Sequence, residues 1–145
     1  MKMNQRRTNA IKKILSANDT GETGAHQAGI LIPKDPDILS FFPDLGENEK
    51  NPRVKLTFYD KEGRPWQFNF IYYNNKFFGG TRNEYRLTQM TRYIQMNRLK
   101  AGDAVILRRA SEGILTISHE RLSSKATYRK EGVLKLGSGW KVHSS

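Results

Sequence analysis

The segment from Arg53 to Tyr73 constrains the fold more than any other part of this sequence. Apolar and polar residues alternate in "VKLTFY" and again in "WQFNFIYY", and the turn "DKEG" separates the two runs. An alternation of period two places one set of side chains on each face of a β-strand. The two runs therefore predict a β-hairpin that has one aromatic face.

Further short strands are predicted on both sides of this hairpin. "GILIPK", from Gly29 to Lys34, suits a short buried strand that Pro33 ends. "AVILRR" follows a turn and pairs with "GILTIS" across "ASEG", and residues 133–136 offer a last strand. The sum is six or seven short strands, which favours a mainly antiparallel, barrel-like β domain over a doubly wound parallel sheet.

The predicted helices are few and short. Residues 1–16 are read as a basic N-terminal helix, because three apolar residues after position 10 share one side of a helix and no acid interrupts the basic residues. A helical turn is expected around Ile38 to Phe42 and a helix over Thr88 to Asn97. Residues 137–145 are expected to be a domain edge or a linker stub. A chain of 145 residues has the usual size of one domain.

The charge of the chain selects its class of partner. Lysine and arginine number 25 against 14 acids, a formal net charge of +11. Such a charge attracts polyanions, with nucleic acid as the first candidate and an anionic membrane surface as the second. No apolar run approaches the roughly 20 residues of a membrane span, so no membrane segment is expected. Five acids between Asp35 and Glu49 would repel a polyanion, and we expect their face to point away from one.

The sequence carries no recognisable catalytic motif. A common type of Mg²⁺-dependent nuclease places an acid and a lysine two residues apart on one strand face, and no Asp or Glu here is followed two positions later by Lys. The three histidines show no metal-ligand spacing, and the absence of cysteine excludes thiolate zinc sites. We therefore expect no catalytic site, no metal and no cofactor.

Two polar, glycine-bearing loops carry the residue types that read DNA. The first, "NDTGETGAHQAGI", offers Thr23, Gly24, His26 and Gln27. The second, "NNKFFGGTRNEYR", offers Lys76, Arg82, Asn83, Glu84, Tyr85 and Arg86. Arginine can fork onto guanine, asparagine or glutamine can pair with adenine, and a carboxylate can accept from the cytosine amino group. Glycine lets the backbone approach a phosphate, which lysine and threonine can bind.

Two interpretations of Glu84 stay open at this point. A loop that only binds phosphate gains nothing from a carboxylate, so Glu84 between Arg82 and Arg86 suits contact with a cytosine beside a guanine. Alternatively, Glu84 forms an ordinary arginine–glutamate pair on a solvated turn, worth under about 1 kcal/mol. His26 taken singly is likewise either a base reader or a surface histidine.

These motifs together resemble a known family. "TGETGAHQAGILIPK", "FFGGTRNEYRLT" and "LKAGDAVILRR" are similar to the N-terminal effector-binding domain of EcoRII-type restriction endonucleases, over about residues 10 to 140. That family is similar in fold to the plant B-three type of DNA-binding pseudobarrel. The resemblance implies a mainly β, seven-stranded open pseudobarrel with two or three short helices and two arms that grip the major groove of double-stranded DNA.

The resemblance also implies particular roles. His26 and Gln27 match reading positions of the first arm, and Arg82 to Arg86 match those of the second. The implied site is of the CCWGG type, where W is A or T. In the full enzymes a separate C-terminal nuclease domain cuts, so a non-catalytic recognition domain in a prokaryotic cytoplasm is expected. A nuclease with an unrecognised site remains one alternative. An RNA-binding barrel that stacks bases on Tyr72–Tyr73 and Phe77–Phe78 is another, although core packing is favoured for Tyr72 and Phe78.

Overall fold

The computed structural model describes residues 7–24, 29–122 and 138–143. In these ranges the chain forms eight strands: β1 Ala10–Ile14, β2 Ile30–Ile32, β3 Arg53–Tyr59, β4 Pro65–Tyr73, β5 Glu84–Thr88, β6 Ala104–Arg109, β7 Leu115–Glu120 and β8 Trp140–Val142. The short helices are α1 Ala17–Thr20, α2 Pro36–Leu39 and α3 Thr91–Met96, and Asn75–Phe78 form a 3-10 helix. The prediction of a mainly β chain with few, short helices is confirmed.

All eight described strands belong to one sheet in the order β2-β5-β4-β3-β7-β6-β1-β8. The pairings are antiparallel except that of β3 with β7, which is parallel. The two outermost strands, β2 and β8, are joined by a side-chain contact: the Trp140 Nε1 donates a hydrogen bond of 2.9 Å to the Leu31 carbonyl oxygen. The sheet is therefore a nearly closed barrel, with eight described strands where seven were expected.

The predicted hairpin forms the centre of the sheet. β3 pairs with β4 along the whole length of β3, and the apolar residues Val54, Leu56 and Phe58 stand opposite Phe70, Phe68 and Trp66. These side chains share one face, and they pack into a core with the buried residues of β1, β2, β5, β6 and β7. Burial of this apolar and aromatic surface is the main stabilising contribution to the fold.

The N-terminal helix prediction is wrong for Ala10–Ile14, which form β1. This strand lies between β6 and β8, and Ile11 is fully buried. Lys13 occupies the next position on the same face as Ile11 and forms an ion pair with Asp19 there. A charged residue at an inward position removes the period-two signal that would have indicated a strand. Residues 1–6 lie outside the described part.

The remaining predicted elements can be compared with the structure one by one. α3 lies within the predicted helix but begins later, because Thr88 still belongs to β5 and Gln89 has a positive φ of 71°. The expected turn around Ile38 appears as α2. Residues 133–136, expected as a last strand, lie outside the described ranges. Within residues 137–145, which were expected to be a domain edge or a linker stub, Trp140–Val142 form β8 at one edge of the sheet.

Trp140→Phe tests whether β8 closes the barrel. The variant keeps an aromatic ring but leaves the Leu31 carbonyl without its indole donor, so we expect a loss of about 1–3 kcal/mol in the free energy of unfolding. Urea denaturation at an unchanged m-value measures this loss. The control is Val142→Ala in the same strand, where a half-exposed side chain should cost below about 0.5 kcal/mol. Equal effects of the two substitutions would contradict a closing role for Trp140.

Candidate nucleic-acid interface

The two polar loops lie at opposite ends of β5: the second leads into β5 itself, and the first leads into β2, which pairs with β5. The first arm, residues 18–30, ends where Ile30 pairs with Leu87, so that Gly29 packs against Thr88. The second arm, residues 75–86, enters β5 at Glu84. The strand has five residues and, at about 3.4 Å per residue, separates the two roots by about 14 Å. The roots of both arms therefore flank the same strand.

A charged triad of Arg82, Glu84 and Arg86 lies at the outward face of β5, with Glu84 and Arg86 in the strand and Arg82 two residues before it. The Arg82 Nη2 lies 2.7 Å and the Arg86 Nε 2.9 Å from the same oxygen, Oε2, of Glu84. Arg86 also donates from Nη1 to the Gly29 carbonyl oxygen over 2.8 Å. The triad thus links the second arm to the root of the first.

Arg82 is held from several sides before any ligand is present. Its guanidinium carbon lies 3.9 Å from the centroid of the Tyr73 ring, which is cation–π geometry. Its backbone N–H donates to the Asn75 side-chain oxygen over 2.7 Å, and its carbonyl accepts from the Lys76 N–H over 2.9 Å. These contacts fix the direction of an otherwise flexible side chain.

The triad keeps Glu84 ionised. The hydrogen bond from Arg82 is the largest cause that lowers the pKa of Glu84 below its ordinary value of 4.5; Arg86 adds to it, and partial burial opposes both. Since the folded-state pKa is lowered, the stabilisation is complete above about pH 4.5 and is lost as the pH falls through the folded value. Glu84 is therefore an acceptor throughout the neutral range.

Asn83 and Tyr85 differ from the triad in direction. The Asn83 side-chain oxygen accepts a hydrogen bond of 2.6 Å from the Tyr72 hydroxyl. The Tyr85 ring stacks on Tyr72 with centroids 4.2 Å apart and on Phe70 at 5.6 Å. Burial is the main cause that raises the pKa of Tyr85. Tyr85 therefore lies on the inward face of β5 and supports the strand from behind.

The tip of the second arm is aromatic and exposed. Phe77 is 63% and Phe78 44% exposed, and the Lys76 amine lies 5.9 Å from the Phe77 ring centroid. The expectation of core packing is confirmed for Tyr72, which is buried, and is wrong for Phe78. Both phenylalanines belong to the 3-10 helix, whose side chains have no sheet beneath them. Gly80 packs tightly on Asn75, where an added Cβ would lie 2.7 Å from Cγ.

The first arm begins on a defined support. Ser16 and Asp19 form a capping box at the start of α1, which stabilises a helix of only four residues. Lys13 lies 3.3 Å from the Asp19 carboxylate and donates to the Ser138 carbonyl over 2.7 Å. Glu22 accepts from the Ala101 N–H over 2.9 Å. The Lys13–Asp19 ion pair and the Glu22–Ala101 hydrogen bond thus attach the beginning of this arm to the barrel.

Of the residues predicted in the first arm, two are described. The Thr23 hydroxyl donates to the Asn18 side-chain oxygen over 3.2 Å. The Gly24 N–H donates to the Gly21 carbonyl over 3.1 Å. His26 and Gln27 lie outside the described residues, so their role remains a prediction.

Several residues that build this interface were not predicted from the sequence. Tyr73 carries Arg82, and no spacing rule singles out a tyrosine at a strand end. Lys13 and Asp19 support the first arm, and the sequence signal that could have located them is the capping box in "SAND". The described residues include no group of three His, Asp or Glu side chains able to hold a metal ion. The described part also has no helix long and apolar enough to cross a membrane.

Comparison with known proteins agrees with this geometry. Residues 5–110 match the family "Restriction endonuclease EcoRII, N-terminal". The type II restriction enzyme EcoRII of Escherichia coli is 41% identical over an alignment of 103 residues. This alignment covers 66% of this chain and 24% of the enzyme. The B3 domain-containing transcription repressor VAL1 of Arabidopsis thaliana is 32% identical over 116 residues, 80% of this chain and 13% of the repressor. The chain thus spans about a quarter or less of the length of these relatives.

A solved structure supports the same fold. A chain in the Arabidopsis FUS3–DNA complex superposes with a TM-score of 0.57 at 18% identity, covering 75% of this chain and 93% of that one. The nearly closed sheet therefore defines a protein of the B3-like pseudobarrel class. Within that class, the match over residues 5–110 shows that the chain belongs to the EcoRII N-terminal family.

Arg82→Ala tests the electrostatics of the triad. Removal of the main hydrogen-bond donor should raise the pKa of Glu84 towards 4.5. A carbon-detected NMR titration of the Glu84 side chain measures this pKa directly. Arg64→Ala is the control, because Arg64 pairs with Asp60 and Glu62 instead and should leave Glu84 unchanged. An unaltered Glu84 pKa in Arg82→Ala would contradict the triad.

Proposed function

We propose that this chain binds a short specific sequence in double-stranded DNA through its two arms and has no catalytic site of its own. The observation that carries the proposal is the Arg82–Glu84–Arg86 triad, which joins the second arm to the strand between the two arm roots. Cationic donors and a charged acceptor sit together there, which a surface that bound only phosphates would not need.

The triad has the chemistry to read adjacent guanine and cytosine. An arginine can donate two hydrogen bonds to one guanine, at O6 and N7, and Glu84 can accept from cytosine N4. Both arginines use Oε2 of Glu84. Within the described part of the chain, Oε1 of Glu84 accepts no hydrogen bond, so it can accept one from a cytosine amino group. The proposed site is of the CCWGG type, with the central pair left to His26 or Gln27.

The spacing of the arms suits the major groove. Their roots are about 14 Å apart along β5, and the major groove is about 12 Å wide. Thr23 and Gly24 in the first arm and Lys76 in the second would contact the bordering phosphates. Tyr85, which lies behind the strand, would act by holding Glu84 and Arg86 in position.

The relatives support a role within a larger enzyme. The segment that the restriction enzyme EcoRII shares with this chain makes up 24% of that enzyme. The similar FUS3 chain is part of a complex with DNA. We therefore propose that the chain serves as the effector-binding part of a restriction endonuclease whose separate nuclease domain cuts, in a prokaryotic cytoplasm.

Titration by fluorescence anisotropy tests this function. A CCWGG duplex and a scrambled duplex of equal length are compared at physiological ionic strength, because affinity for DNA depends strongly on salt. We expect the specific duplex to bind at least about 1,000-fold more tightly. Equal affinities would refute specific recognition. Cleavage of a plasmid by the pure chain with Mg²⁺ would instead establish the nuclease alternative.

A second candidate function has one observation in its favour. The exposed Phe77 and Phe78 could stack on unpaired bases of a single-stranded RNA. Competition with single-stranded RNA separates the two possibilities. If the DNA proposal is right, RNA should not displace the CCWGG duplex at equal concentration.

Arg82→Ala and Glu84→Ala should lower specificity. Each removes one base contact, so each should cost about 1–3 kcal/mol on the specific duplex and less on the scrambled one. Lys76→Ala is the matched control from the same arm, since loss of a phosphate contact should weaken both duplexes equally and lower the salt slope by about 1. If Arg82→Ala weakened both duplexes equally, Arg82 would be a phosphate contact and not a base reader.

A further inference from the structure

A basic surface continues from the arms across the outside of the sheet. Arg86 pairs with Ile71 of β4, which in turn pairs with Arg53 of β3. The next outward pair along these two strands is Asn69 of β4 and Lys55 of β3. A groove lined by Arg53, Asn69 and Thr88 among others lies beside the root of the first arm. A second groove, lined by Lys55 and Arg92 among others, meets it at Gln89 and Thr91.

The charge of this surface has one sign. None of the residues that line the two grooves is Asp or Glu. Arg64 also lines the second groove, but its charge is offset by Asp60 at 3.1 Å and Glu62 at 3.2 Å. Arg53, Lys55 and Arg92 are exposed, and none of them forms an ion pair with another described residue. We call these three residues the basic strip.

The spacing of the basic strip fits a DNA backbone. Arg53 and Lys55 are two residues apart on one face of β3, which is about 6.8 Å. One DNA strand carries a phosphate for about every 3.4 Å of helix axis, so the two side chains can reach successive or alternate phosphates. Asn69, whose side chain donates to Gln89 over 3.1 Å, adds a neutral polar floor between the charged residues.

We propose that the basic strip binds the phosphate backbone of duplex DNA that flanks the recognition site, on the side of the first arm. This inference rests on the proposed function, because it places the site itself between the arms. The strip lengthens the footprint of the domain without reading bases, since arginine and lysine on phosphates carry no sequence information. The flank is therefore held whatever its sequence.

The test uses two duplexes that share one CCWGG site, one with two and one with ten flanking base pairs on each side. The variant Arg53→Gln/Lys55→Gln/Arg92→Gln removes the strip. It should weaken binding of the long duplex by more than about tenfold and lower its salt slope by about 2.7, at 0.9 per lost phosphate contact. Binding of the short duplex should change by less than about twofold.

The matched control is Lys50→Gln/Lys61→Gln/Lys141→Gln, which removes the same charge from exposed residues that line neither groove. Equal weakening by the two triple variants would show that only net charge matters and would overturn the strip. Equal weakening on both duplexes by the strip variant would place these residues at the recognition site and would also overturn it. Failure of the unmodified chain to prefer CCWGG would refute the proposed function instead.

Discussion

One carboxylate oxygen, Oε2 of Glu84, holds the guanidinium groups of both Arg82 and Arg86, and the geometry of the interface depends on that arrangement. Without it, two like charges on neighbouring outward positions would repel each other and sample many rotamers. With it, Arg86 in β5 and Arg82 just before that strand are held on the same side, and Arg86 also reaches the root of the first arm at Gly29. The triad therefore reduces the entropy that binding must remove. Because partly exposed pairs of this kind are worth about 1 kcal/mol or less, exchanging a partner for a base costs little.

The triad is only as precise as the strand that carries it. Behind β5, Tyr85 stacks between Tyr72 and Phe70, and Phe70 stacks on Phe42 at 4.4 Å. Stacked aromatic rings bury a large area and leave few alternative rotamers. The first arm is supported differently, by the largely buried Lys13–Asp19 pair. Such a pair contributes little net stability but is costly to break, so it fixes the place where this arm leaves the barrel. A rigid sheet and two anchored roots are what a reader of adjacent bases requires.

Several parts of this arrangement follow from the sequence, and the remainder depends on tertiary context. The hairpin of β3 and β4 was predictable because Phe58, Phe68 and Phe70 alternate with polar residues over a long run. β1 was not, because Lys13 takes an inward position that only the distant Asp19 and Ser138 make tolerable. Glu84 was recognisable in the sequence as an acid among basic residues. That two arginines contact it depends on Glu84 lying at the start of a strand, which the loop sequence does not show. Phe78 was misjudged because hydrophobicity alone does not show that a 3-10 turn lies beyond the sheet.

The distribution of charge explains how a net positive body can present DNA with one particular side. Asp44 and Glu47 add to burial in raising the pKa of Tyr85, so these acids are nearer to the Tyr85 side of β5 than to its outward face. Asp44 also lines a groove with Tyr85 and Phe42. A polyanion that approaches from that side meets repulsion, and one that approaches the arms meets Arg82, Arg86 and the basic strip. A field polarised in this way orients the partner before contact and raises the rate of productive encounters. Net charge alone would attract a polyanion without orienting it, whereas acids and bases on different sides of β5 give that attraction a direction.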